Sequence, residues 1–216
     1  MPARPPPDLN PRKKPRQARA EATLDAIFEA AIQVLVSVGP RRLTTTRVAE
    51  RAGVSVGSMY QYFPNKQALF YALNESYLDV LAARIETTCE QQHGAPVRDM
   101  IEAIVVTYWD AKMERPEVTR ALYRSVAELD NEPLIEAFAR RVDGATATLF
   151  ASASDASFVD LPGVNLTLLT TIFGAVRNVF ERNLPASEAI RVREQLIVMC
   201  EAYLAVIQRP VRQKRR

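Results

Sequence analysis

Apolar residues recur at helical spacing through most of the chain and nowhere alternate with polar ones over the length of a strand, so the pattern predicts an all-α protein. Leu24, Ile27, Phe28, Ala31, Ile32 and Leu35 mark one face of a first helix over 18–38, ended by Gly39 and Pro40. Val48, Ala49 and Ala52 define a short second helix over 44–52, behind a threonine run able to cap its free N–H groups. Gly53 supplies the positive φ that ends a helix and turns the chain sharply. Ser55, as N-cap, starts a third helix that Pro64 stops after about Tyr62. Asn65 caps a fourth, carried by Leu69, Leu73, Tyr77 and Leu81 to about Gln92. Pro96, Pro116, Pro133, Pro162 and Pro185 each stand near the start of an apolar-periodic segment, where a missing N–H is least harmful. They predict five more helices, at 97–114, 117–130, 133–153, 164–183 and 187–208.

Two short helices joined by a glycine turn form the geometry in which the second enters a DNA major groove while the first crosses the backbone. The stripe of the first helix is expected to pack on Val48, Met59 and Phe63 and close a three-helix core. The predicted domains are therefore a helix-turn-helix domain over 17–64 and a larger helical domain over 65–208, flanked by a Pro- and Arg-rich arm at 1–16 and a basic tail at 209–216. The fourth helix is long enough to leave the small domain and link it to the large one. In the eighth, Leu166, Leu169, Phe173, Val176 and Phe180 form one face while Leu168, Ile172, Ala175 and Val179 form another. A helix apolar nearly all round is either fully internal or covered partly by a second chain. The ninth, with Leu196, Ile197, Met199, Cys200, Tyr203, Leu204 and Ile207, behaves likewise.

Charge changes the picture by its location. The total is only +3, but residues 1–20 and 209–216 each carry +5, which leaves −7 on the remainder. An acidic body does not bind DNA by bulk charge, so binding is expected from a local surface holding Arg41, Arg42, Arg47, Arg51 and Lys66. Residues 1–16 contain six prolines and are expected to be disordered, as a solubilising tail or as an arm touching DNA beside the helix-turn-helix. No apolar run approaches the roughly 18 residues of a membrane span, and no secretory signal follows the basic N-terminus. A cytoplasmic protein is expected, in keeping with two cysteines far apart in sequence, Cys89 and Cys200.

From about Arg19 to Leu73 the chain resembles the DNA-binding domain of TetR-type transcriptional regulators. The resemblance rests on Leu43-Thr44, Val48-Ala49, Ala52-Gly53-Val54-Ser55, Gly57-Ser58, Tyr60, Tyr62-Phe63, Lys66 and Leu69, in order and spacing. It implies a dimeric, sequence-specific DNA-binding regulator, with repression as the family's usual mode. It further implies DNA contacts at Thr44, Thr45, Thr46, Val56, Gly57, Ser58, Tyr60, Tyr62 and Lys66. Thr44 and Thr45 match phosphate-contacting threonines at a helix N-terminus, and Thr46 a base-reading position. Val56 could meet a thymine methyl, Ser58 a phosphate or base, and Tyr62 and Lys66 match phosphate clamps. Tyr60 either joins them or packs at the domain edge, and Gln61 stands where members often have His. The last two helices, paired with those of a second copy, would make a four-helix bundle through Leu169, Ile172, Val176, Leu196, Met199 and Tyr203, with Gly174 permitting close approach. A small-molecule inducer pocket is likewise implied among the body helices, and Tyr108, Trp109, Met113, Tyr123, Phe138 and Phe173 could line it or be plain core.

Catalysis finds little support: His93 is the only histidine, no Gly-x-Ser-x-Gly setting exists, and the seven glycines form no phosphate loop. Cys89 and His93 at i, i+4 around Glu90 are too few ligands for a metal site. No cofactor and no enzymatic role are expected. The alternative to a ligand-released repressor is a ligand-independent architectural DNA-binding protein or, further off, a helical enzyme.

Overall fold

A computed structural model describes residues 18–126 and 131–210; the proline-rich arm, the end of the predicted 117–130 helix and all but the first two residues of the basic tail lie outside the described residues. Nine helices are described: α1 (Ala18–Val38), α2 (Thr45–Ala52), α3 (Val56–Tyr62), α4 (Lys66–Gln91), α5 (Val97–Met113), α6 (Pro116–Val126), α7 (Glu132–Ala151), α8 (Leu161–Glu181) and α9 (Ala186–Ile207). A ladder of two residues per strand, β1 (Ala156–Ser157) antiparallel to β2 (Arg209–Pro210), was not expected. Too short to show any alternation, it fastens the end of α9 to the α7–α8 loop, with the Ser157 hydroxyl donating to the Arg209 carbonyl. None of the described helices is long and apolar enough to cross a membrane.

The helix ends follow from the residues placed there. Thr44 caps α2 by accepting the Arg47 N–H at 3.2 Å, and Gly53, at φ 68°, closes it by returning its own N–H to the Ala49 and Glu50 carbonyls. Ser55 caps α3 by accepting the Ser58 N–H at 3.0 Å, and Asn65 caps α4 through the Ala68 N–H at 2.8 Å. Asp160 does the same for α8 through Gly163.

Of the described residues, 18–79, 115–126 and 131–137 form one compact unit; 80–114 and 138–210 form another. The division falls inside α4 rather than at Asn65, because Ala68, Leu69, Phe70, Ala72 and Leu73 are buried in the same core as Ile27, Leu35, Leu43, Val48, Met59 and Phe63. Helix α6 belongs to that core as well, through Val118, Ala121 and Leu122. Polar contacts reinforce it: Tyr77 meets Thr119 at 3.2 Å, Asn74 donates to Ser125 at 3.3 Å, and Arg115 forks onto Glu29 at 3.0 and 3.1 Å.

In the second unit, Leu81 and Ile85 of α4 belong to a buried set that includes Met100, Ile101, Ile104, Val105, Val142, Leu168, Ile172, Val176, Leu196 and Leu204. Helices α7 and α8 run antiparallel, since Asn165 donates to the Asp143 carbonyl while Phe138 meets Phe173, eight residues further along α8. Arg141 on α7 forks onto Glu86 on α4 at 2.8 and 2.7 Å, which holds the Glu86 carboxyl below its ordinary range.

Candidate nucleic-acid interface

Helix α3 turns Met59 and Tyr62 into the core and leaves Val56, Gly57, Tyr60 and Gln61 exposed. Those four fall at i, i+1, i+4 and i+5, so they share one face. Gln61 thus stands beside the expected reading residues, and its amide has the donor and acceptor pair that matches adenine in the major groove. The signal was in the sequence as the i+4 partner of Gly57. Ser58, by contrast, is engaged locally: its hydroxyl lies 2.9 Å from that of Ser55.

At the start of α2, Thr44 and Thr46 are exposed while Thr45 is buried, so only its backbone faces outward at the helix N-terminus. Four arginines border this surface. Arg47 donates to the Arg42 carbonyl at 2.9 Å and Arg51 to Gln33 at 2.7 Å, while Arg41 and Arg42 are exposed. Lys66 is half-buried: its ammonium reaches the Pro40 carbonyl at 3.2 Å and lies 5.5 Å from the Phe70 ring centre. It therefore ties α4 to the α1–α2 turn as well as charging this edge. Tyr62 is also part of the core, with its ring 6.4 Å from that of Phe63. Removing the Tyr62 ring would disturb folding, so the clean variant is Tyr62→Phe.

Gly57 has ordinary helical φ, and a Cβ there would meet nothing nearer than the Ser55 hydroxyl at 3.7 Å. Among the described residues nothing requires glycine at this position. Gly57→Ala is expected to stabilise the fold by up to about 1 kcal/mol through helix propensity. It is also expected to weaken operator binding by about 1 to 3 kcal/mol, because a methyl added on the exposed face of α3 takes up space that a base edge would need. Lys66→Ala should lower the salt slope of binding by about one unit per bound subunit. Denaturation alongside titration over a salt series checks both; operator affinity unchanged in each variant would remove these residues from the interface.

The residues expected at the dimer interface divide. Leu169, Ile172 and Val176 of α8 and Leu196 of α9 are buried within the chain itself and are core, because both apolar faces of α8 are buried from Leu168 onward. Met199 is 50% exposed and Tyr203 is half-buried. The apolar side chains left in the open on α8 and α9 are instead Leu166, Ile190, Val198, Met199 and Val206. A cleft of about 500 Å³ runs beside Met199, lined also by Ala175, Arg191, Val192 and Gln195.

Of the six residues expected around an inducer, three meet: Tyr108 lies 4.4 Å from Phe173, and Phe138 lies 5.7 Å from it, between ring centres. Trp109 is buried in the same unit and Met113 is half-buried at the end of α5. Tyr123 lies in the first unit, on α6. The sequence reading missed Lys112. It is only 3% exposed, and its ammonium stands 5.5 Å from the centre of the Tyr108 ring. The signal was a lysine continuing the buried stripe Val97, Ile101, Ile104, Tyr108.

Burial pushes the Lys112 amine from its ordinary 10.5 down to about 7. Its folded pKa lies below the unfolded one, so between those values the unfolded chain holds the extra proton. Stability should then rise with pH from about 7 to about 10.5, by up to about 1.4 kcal/mol per pH unit. Melting curves at about pH 7.5 and 9.5 should show this rise in the parent and not in Lys112→Met. Matching pH profiles would show that Lys112 does not titrate in that window.

Burial pushes both cysteine thiols up to about 11, which makes them poor nucleophiles at neutral pH. No group of three or more His, Cys, Asp or Glu with metal-site geometry occurs among the described residues.

An exposed short helix set on a buried helical support by a glycine turn is the arrangement of a helix-turn-helix DNA-binding domain. Residues 27–73 match the family model for bacterial regulatory proteins of the tetR family, and residues 96–204 match the tetracyclin repressor-like C-terminal domain. The chain therefore belongs to the TetR family. It is 32% identical over 119 residues to the nucleoid occlusion factor SlmA of Haemophilus ducreyi, a match that spans 55% of this chain and 58% of that protein. The fold superposes on a TetR-family transcriptional regulator from Streptomyces coelicolor with TM-score 0.62 at 24% identity, covering 86% of this chain and 99% of the other. It superposes on SmeT in complex with triclosan with TM-score 0.67 at 20% identity, covering 87% and 92%.

Proposed function

We propose that the chain is a homodimeric cytoplasmic repressor that binds a palindromic operator and is released from it by a small apolar or amphipathic ligand. The observation that carries this reading is α4, one continuous helix whose first half is buried in the core supporting α3 and whose second half buries Leu81, Ala82, Ile85 and Cys89 in the second unit, tied to α5 through Thr88–Thr107 and to α7 through Glu86–Arg141. Ligand-driven repacking of the second half is transmitted along the helix to the first. On α3, Val56, Gly57, Tyr60 and Gln61 face the groove, and Thr46 of α2 reads a base; Thr44, the backbone N–H groups at Thr45, and Lys66 hold phosphates. The Tyr62 hydroxyl adds a further phosphate contact from the edge of the core. The inducer site is centred on Tyr108, Phe138 and Phe173. A fold neighbour's complex with triclosan, a small aromatic molecule, supports a ligand of this kind.

Footprinting on DNA flanking the chain's own coding region should locate the operator. Trp109, the only tryptophan, then reports ligand entry through its emission. By linkage, a ligand that lowers operator affinity must lose the same factor of its own affinity when operator is bound, typically about 5- to 150-fold. Screening by Trp109 emission with and without operator measures that factor. Ligands that bind identically in both conditions would refute the coupling. A second reading is favoured by the SlmA relatives: a ligand-independent DNA-binding protein acting on the nucleoid. It expects many chromosomal sites and no effect of any ligand on binding to them.

A further inference from the structure

The geometry points to Gln61 of α3 as the residue that fixes one base of each operator half-site as adenine, with Gly57 clearing the space for its approach. This deepens the DNA-binding reading above and rests on it. At about 100° per residue, the direction opposite the buried Met59 and Tyr62 falls on Gly57, and Tyr60 and Gln61 flank that point by about 50° on either side. The outermost point of the face is thus the one without a side chain. The fold makes no use of this notch, since a Cβ at Gly57 meets nothing nearer than the Ser55 hydroxyl at 3.7 Å. A notch of this kind brings the helix backbone close to an outside surface and lets the two flanking side chains reach past it.

The flanking groups differ in what they tell apart. Tyr60 offers a single hydroxyl, which finds an acceptor on every base pair. The Gln61 amide offers a donor and an acceptor in fixed relation, and among the described residues it makes no hydrogen bond, so neither group is already engaged. In the major groove adenine presents the matching pair, the N7 acceptor beside the N6 donor. Guanine presents two acceptors, of which the amide satisfies one, while cytosine and thymine each present one hydrogen-bonding group. Val56 is apolar and Gly57 has no side chain, so of these four residues Gln61 alone makes a two-point contact with a base.

Selection from a randomised duplex library by the full-length protein, repeated with Gln61→Ala and Gln61→Arg, tests this. Gln61 is exposed, so both variants should melt like the parent. The parent is expected to select adenine at one position of each half-site and to lose about 5- to 150-fold in affinity on any other base there. Gln61→Ala should accept all four bases at that position and keep its preferences elsewhere, whereas Gln61→Arg should select guanine through O6 and N7. Replacing that adenine with 7-deazaadenine, which lacks the N7 acceptor, should weaken the parent and leave Gln61→Ala unchanged. An adenine preference that survives Gln61→Ala, a Gln61→Ala protein weakened equally on every sequence, or a parent indifferent to 7-deazaadenine would each overturn the assignment. If the parent still selects a palindrome in those cases, the operator-binding repressor stands without Gln61. A preference that moves with Gln61 on isolated half-sites would uphold Gln61 and bring down the palindromic operator, and failure of the parent to select any sequence would bring down both.

Discussion

Met199→Glu is expected to convert a dimer into monomers and to abolish binding to a palindromic operator while leaving the fold of each chain intact. Met199 is half exposed at the rim of the cleft between Ala175 of α8 and Gln195 of α9, and Val206 lies two turns further along the same face of α9. Leu166 at 63% exposure and Val206 at 84% are further apolar side chains left open on these two helices. A second copy covering that face of α9 would bury a carboxylate at position 199 with no partner, a penalty of several kcal/mol per interface. Reading two half-sites about 34 Å apart needs two linked heads, so operator affinity should fall by orders of magnitude once the chains separate. Sedimentation and operator titration together decide the matter. A Met199→Glu protein that stays dimeric and binds like the parent would sink this interface.

Val176→Glu is expected to do something different and more drastic. Val176 has no exposed surface, and it packs inside the chain rather than at its edge. An isolated carboxylate there costs several kcal/mol even after relaxation, against a total stability of about 5 to 15 kcal/mol for a typical domain. The variant should accumulate as aggregate or show lost helicity by circular dichroism at temperatures where Met199→Glu is fully folded. A soluble, fully helical Val176→Glu monomer would mean that α8 presents Val176 to a partner after all.

That contrast marks where the sequence was legible and where it was not. Helix ends were readable because each rests on a local device: Thr44, Ser55 and Asn65 as caps, Gly53 in the left-handed region, and prolines near the first turns. The inward face of α3 followed from Met59, and its outward face from Val56 and Tyr60. The burial of α8 did not follow, because periodicity says how many faces are apolar and not whether they meet the same chain or another. Attachment of α6 to the first core was hidden for a related reason: Val118 and Leu122 look like any amphipathic stripe, and only tertiary packing chooses their partner. Lys112 was passed over because one charge in an apolar stripe reads as noise until burial gives it an environment.

The 26 residues of α4 also set a mechanical ratio. At 1.5 Å per residue the helix is about 39 Å long, so a swing of about 5° about one end carries the other about 3 Å, the length of one hydrogen bond. Its main-chain bonds make it stiff enough to deliver that displacement rather than absorb it. On the proposed reading of Lys66 as a phosphate clamp, a change too small to break any packing among Leu81, Ala82 and Ile85 would be large enough to carry its ammonium out of reach of a phosphate. Substitutions along Val80–Gln91 should accordingly alter release from DNA without touching either DNA or ligand.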